Sequence, residues 1–173
     1  MQAMTLSEVV RVCVESYLSV QLRPEGMLGR ANQVDFVGDS PRYGAIRLEL
    51  ERRREDPVNN VVKAWRQASE SLGDPPFMLV QLFSGYYSSR PAKMENARFV
   101  GQKMEEWAKA TGRRSRYIAV SFSFEPPSGD ANPIVSAEMM DELRKEISNG
   151  LRNALPLDDE SALLPVDSAT PLS

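Results

Sequence analysis

Ala45-Ile46-Arg47-Leu48-Glu49-Leu50-Glu51-Arg52 alternates apolar and charged side chains, the period of a β-strand. Ile46, Leu48 and Leu50 share one face and suit a core; Arg47, Glu49 and Glu51 share the other. Upstream, Val34-Asp35-Phe36-Val37 reads as part of a shorter strand over about 33–37. Between the two runs, Gly38-Asp39-Ser40-Pro41 has turn chemistry, with Asp39 as a turn residue. The two runs therefore form a hairpin, its second strand spanning about 44–52, in which Asp35 can lie beside the acidic row.

Outward from the hairpin the pattern becomes helical and strand-like in turn. Residues 5–20 carry Leu6, Val9, Val10, Cys13 and Tyr17 on one stripe of an amphipathic helix. Pro24-Glu25-Gly26 ends that pattern, and 29–33 is loop-like. Asp56 followed by Pro57 reads as an N-cap and first helical residue, with Val58, Val61, Val62, Trp65 and Leu72 inward. Phe77 to Phe83 is too apolar for a half-exposed strand and is expected to be buried on both faces. Pro91 opens a helix to about Thr111, with Val100, Met104 and Trp107 on its core stripe. A strand over 117–124 and a helix capped by Ser136 complete the order. The expectation is an α/β fold with a mixed central sheet flanked by helices. One domain covers 1–155, and 156–173 is an acidic tail of disordered composition.

Composition narrows the chemistry. The chain has 173 residues, no histidine and one cysteine, Cys13, which reads as a small buried hydrophobe. Histidine-based nucleophilic schemes and most zinc or iron sites are thereby excluded, leaving carboxylates, lysine, tyrosine and bound water. Carboxylate oxygens suit magnesium, manganese or calcium. No glycine-rich phosphate loop of familiar spacing is present, so a nucleotide cofactor is not expected. The net charge is −3, yet Asp158, Asp159, Glu160 and Asp167 all lie in the tail, so the body holds 20 acids against 21 bases, or +1. No apolar run is long enough to span a bilayer, and the N-terminus lacks the order of a signal peptide; a cytoplasmic location is the expectation.

Carboxylates about 4 Å apart repel one another, and a bound cation relieves them most cheaply. Asp35, Glu49 and Glu51 are the candidate ligands for such an ion, magnesium or manganese. It would lower the pKa of a coordinated water and shield the charge developing on a phosphodiester. Lys63, on the following helix beside Asn59 and Arg66, would supply an ammonium group to the same place. The plain alternative is a half-exposed strand bearing a solvated row of ion pairs. Arg52-Arg53-Arg54 and Arg113-Arg114-Ser115-Arg116 would suit phosphate contacts, or be solvated charge runs. Tyr86-Tyr87-Ser88-Ser89-Arg90 follows a strand end, where binding loops of α/β sheets sit, or is an ordinary connection. Trp65 and Trp107 read as core.

With Val34-Asp35 on one strand and Glu49-Leu50-Glu51 on the next, this stretch resembles the PD-(D/E)XK nuclease superfamily, the fold of many restriction endonucleases. The match covers residues 5–125, and Glu51 stands where the family usually has lysine. Some members place the lysine on the following helix, which is where Lys63 falls. The resemblance implies a magnesium-dependent DNA endonuclease with Asp35, Glu49, Glu51 and Lys63 in its site. It also implies a glutamate from the first helix, Glu8 or its rival Glu15, as a further ligand. Arg52, Arg53, Arg54, Asn59 and Arg66 would face nucleic acid, and a homodimer would cut both strands. The missing lysine leaves open an inactive nuclease fold serving as an interaction or regulatory module with a protein partner.

Overall fold

The structure, a computed structural model, describes residues 3–25, 35–73, 75–130 and 132–155. The expected loop over 29–33, Val34 and the acidic tail lie outside the described residues. In chain order the elements are β1 (Met4–Thr5), α1 (Leu6–Leu18), β2 (Arg23–Pro24), β3 (Phe36–Ser40), β4 (Gly44–Glu51) and α2 (Val58–Glu70). There follow β5 (Phe77–Phe83), a 3-10 turn (Gly85–Ser89), α3 (Pro91–Ala110), β6 (Ser115–Ser121), β7 (Ile134–Val135) and α4 (Ala137–Ala154).

Five strands form one mixed sheet in the order β2-β3-β4-β5-β6. The first three are antiparallel neighbours, whereas β4, β5 and β6 run parallel. A two-stranded ribbon of β1 and β7 stands apart. Each parallel step is made through a helix, as the connection between parallel strands requires. Ile46, Leu48 and Leu50 pack with Met78, Val80, Leu82, Ile118 and Val120 against the apolar stripes of α1 and α4. On the opposite face Phe77, Leu79 and Phe83 pack against Val61 and Ala64 of α2 and Ala97 and Met104 of α3. All seven residues of β5 are consequently buried, as their continuous apolar run predicts.

The hairpin differs from its expected register. β3 begins at Phe36 and continues through Gly38 and Asp39 to Ser40, so those residues are strand and the turn is Pro41-Arg42-Tyr43. Two contacts explain the shift. Ser40 Oγ accepts the backbone N–H groups of Arg42 (3.1 Å) and Tyr43 (3.2 Å), which closes the turn at that point. Gly44 has φ of 76°, and a Cβ there would lie 2.1 Å from the Pro76 carbonyl oxygen, so glycine is required where β4 starts.

Several helix details also differ. The N-cap of α2 is Pro57, with no side-chain cap; the Asp56 carboxylate accepts from the Asn59 side chain instead (2.8 Å). Asn60, Val61 and Ala64 form the buried stripe of α2, while Val62 is 47% exposed and Leu72 is 96% exposed. Trp65 and Trp107 are half-buried, their rings 6.0 Å apart where α2 meets α3, and Trp65 packs against the core beneath the two helices. Cys13 is buried, and burial pushes its thiol up to about 11. Ser136 caps α4 by accepting from the Met139 N–H. Among the described residues no helix is long and apolar enough to cross a membrane.

Candidate functional site

Alternation puts Arg47, Glu49 and Glu51 on the face of β4 that α2 and α3 cover. The half-exposed strand therefore does not exist: Glu49 is 3% exposed and Glu51 is 1% exposed. Two carboxylates have entered a core, and such groups are costly to bury unless neighbours compensate them. The compensation comes from Asn60, which reaches down from the first turn of α2. Its Nδ2 donates to Glu51 Oε1 (2.7 Å) and to Glu49 Oε2 (3.2 Å). Gln81 of β5 donates a second bond to Glu51 Oε1 (2.8 Å) and one to the Pro57 carbonyl (3.0 Å), while its own Oε1 accepts from Tyr117 Oη (2.8 Å). A polar chain thus runs across three strands beneath the two helices.

The two glutamates are compensated unequally. Glu51 has the amide donors of Asn60 and Gln81, and Arg54 Nε stands 3.6 Å from its Oε2. That Oε2 is buried and has no hydrogen bond among the described residues. Burial raises the Glu51 carboxyl, opposed by the Asn60 and Gln81 bonds and by Arg54. Glu49 accepts one long bond and is pushed up to about 8, first by burial and then by the charges of Asp35 and Glu51. Arg54 and Lys63 pull the other way without cancelling the effect.

Asp35 lies one step beyond the last hairpin pair, Phe36 with Leu48. Its Oδ2 accepts the Leu50 backbone N–H (2.7 Å), which extends the hairpin's bonding by a side chain. Its Oδ1 is 3.6 Å from Arg52 Nη1. The charge of Asp35 raises the carboxyls of both Glu49 and Glu51. Yet among the described residues no three acidic or cysteine side chains stand converged as a metal-holding group.

Lys63, one turn after Asn60, is exposed and acts on Glu49 through its charge. Asn59 and Arg66 look outward: Asn59 bonds Asp56, and Arg66 stands 3.6 Å from Glu70. Glu8 is exposed and spent in a capping box, its carboxylate accepting from the backbone N–H and the hydroxyl of Thr5. Glu15 pairs with Arg11 and accepts the Leu22 N–H (2.7 Å), pinning the chain after α1. Helix α1 packs on the sheet face opposite Glu49, so neither glutamate stands with the buried pair.

The arginine run makes specific contacts although Arg53 and Arg54 remain exposed. Arg52 donates to Ser7 Oγ (2.7 Å) beside Asp35; Arg53 holds the Pro126 carbonyl and Glu125, both at 2.8 Å; Arg54 donates to Asn60 Oδ1 (2.8 Å). The backbone beneath them is fixed by Tyr87 Oη, which accepts the Arg54 N–H and donates to the Arg54 carbonyl, and by Ser84 Oγ, which donates to the Arg52 carbonyl. Tyr86 and Tyr87 are buried, and Arg53 and Arg90 stack on the Tyr86 ring. Arg113 lies over the Trp107 ring and Arg116 is 3.5 Å from Glu105. The organising residues that the sequence reading passed over are Asn60, Gln81 and Tyr117. Two signals pointed to them: Gln81 is the lone polar residue in an apolar strand, and Asn60 shares the stripe of Ala64. Neither a protein-family profile, a curated protein nor a solved structure matches this chain.

Proposed function

We propose that this chain is a divalent-metal-dependent endonuclease of the PD-(D/E)XK type, acting on DNA phosphodiester bonds in the cytoplasm. The observation that carries the reading is Glu49, a 3% exposed carboxyl pushed up to about 8, with Asp35 near enough for its charge to add to the shift. A carboxyl that resists ionising by itself suits a hard dication, whose charge would take the place of the proton. Carboxylate oxygens suit magnesium or manganese: Asp35 and Glu49 would hold it, with Glu51, whose buried Oε2 has no hydrogen-bond partner among the described residues, as a further ligand. Such an ion would lower the pKa of a bound water and shield the phosphodiester. Asn60 orients both glutamates, and Lys63 supplies positive charge from the helix above. A mixed sheet with an antiparallel hairpin leading into parallel strands is compatible with the restriction-endonuclease-like architecture.

Magnesium or manganese titration with labelled DNA tests this. Cleavage by the wild type is expected to fall at least a hundredfold in Asp35→Ala and in Glu49→Ala, roughly the loss that removing one charge-stabilising group brings. Unchanged cleavage in both variants removes the proposal.

A second reading, a nuclease fold without catalysis that acts as an interaction or regulatory module, is favoured by one specific observation. Glu51 occupies the position of the family's lysine and is tied to Arg54, Asn60 and Gln81. Calorimetry separates the two: no magnesium binding, together with a stable complex with a protein partner, selects the module. Sedimentation of the isolated chain would show the homodimer that double-strand cleavage calls for.

A further inference from the structure

We infer that Arg54 is the resident counter-cation of the acid site: its guanidinium stands against Glu51 in place of a metal ion and has to swing aside before a dication can bind. This rests on the metal-site reading and names what controls entry to that site.

Glu51 Oε2 is buried and accepts no hydrogen bond among the described residues. Among those residues Arg54 is the one cation within 4.0 Å of either glutamate, its Nε lying 3.6 Å from that oxygen. The distance is long for a hydrogen bond but close for a pair of charges. The Arg54 charge accordingly opposes the rise of both glutamate carboxyls. A second cation brought to the same oxygen would be repelled at this range. The buried oxygen has room for one cation, and in the metal-free chain Arg54 fills it.

Arg54 is attached so that only its side chain needs to move. Its backbone is clamped on both sides, because Tyr87 Oη accepts the Arg54 N–H (3.0 Å) and donates to the Arg54 carbonyl (2.9 Å). Beyond that pivot the guanidinium has a single hydrogen bond among the described residues, from Nη1 to Asn60 Oδ1 (2.8 Å), and the side chain is 47% exposed. Its neighbours are held harder: Arg52 donates to Ser7 with its side chain only 22% exposed, and Arg53 makes two bonds at 2.8 Å. Rotation about the Arg54 side-chain torsions therefore uncovers Glu51 at the loss of one hydrogen bond and one loose, partly solvated ion pair, with no shift of β4 or α2. Asn60 stays in place through its Nδ2 bonds to Glu49 and Glu51, so the acid site keeps its shape as Arg54 leaves.

The experiment is a calorimetric titration of the full chain with manganese chloride, comparing wild type with Arg54→Gln. Rotation of the wild-type Arg54 guanidinium about Nε–Cζ is followed alongside by nitrogen NMR, in chelator and in magnesium chloride. Arg54→Gln is expected to bind manganese about tenfold more tightly, the usual effect of removing one neighbouring like charge. Lys145→Gln, an exposed charge on α4, should leave the affinity unchanged. In chelator the rotation should be slow, because Nη1 is bonded to Asn60; in magnesium it should become as fast as that of the exposed Arg114. A role through charge alone would tighten binding by Arg54→Gln without freeing the guanidinium, so unchanged rotation in the magnesium-bound chain overturns the inference. Equal manganese affinity in wild type and Arg54→Gln also overturns it and leaves the metal-site reading standing. Binding by Arg54→Gln and not by wild type supports it, with Arg54 as a complete block. Binding by neither protein removes the metal-site reading and the inference with it.

Discussion

Replacing Glu49 with glutamine should change how stability depends on pH, and the size of the change follows from the site. In the folded chain the Glu49 carboxyl is pushed from 4.5 to about 8 by burial, Asp35 and Glu51. The folded state therefore holds a proton that the unfolded state releases above pH 4.5. Stability from this group is fully present below pH 4.5, falls as pH rises and is lost by about pH 8. At about 1.4 kcal/mol for each tenfold change in proton affinity, the loss is on the order of 5 kcal/mol across that window. Glu49→Gln keeps the shape and an acceptor for Asn60 while removing the titration. The variant should match wild type near pH 5 and exceed it by several kcal/mol near pH 8.5. Urea unfolding read by the fluorescence of Trp65 and Trp107 at pH 5, 6, 7, 8 and 8.5 measures the difference directly. Taking the difference between the two proteins cancels the titration of carboxyls remote from Glu49. Parallel stability curves would refute the account, because they would mean that Glu49 is ionised in the fold at neutral pH.

Three further outcomes test other parts of the structure. Asn60→Ala should destabilise the chain by roughly 1–3 kcal/mol in urea, since it strips amide donors from two buried carboxylates. Gly85→Ala should lower the melting temperature measurably, because its Cβ would meet the Ser123 carbonyl oxygen at 2.0 Å, with overpacking costs of roughly 1–3 kcal/mol. Ser136→Ala should cost about 1 kcal/mol by thermal or urea unfolding through loss of the α4 cap, with the fold otherwise retained.

Strong local signals were legible from the residues alone. The seven-residue apolar run marked β5, Pro91 marked the start of α3, and Ser136 marked the cap of α4. The alternation from Ala45 to Glu51 correctly separated the residues that share each face of β4. The hairpin register was not legible, because it depends on the Pro76 carbonyl packed against Gly44 and on the turn bonds of Ser40. Asn59 and Asn60 are identical in type and adjacent; only the rotation of α2 over the sheet decides which one reaches the glutamates. Val62 and Leu72 look inward by composition, but the rotation of α2 that buries Asn60, Val61 and Ala64 leaves Val62 exposed, and Leu72 lies past the helix end at Glu70.

By itself, the amino-acid order determined an α/β chain with acidic side chains aligned along β4 and restricted any chemistry to carboxylates and cations, because strand and helix periods and residue types are local properties. Whether those acids face water or a core was decided only when α2 and α3 closed over them, since burial depends on what the rest of the chain places on top. That closure drives the Glu49 carboxyl upward.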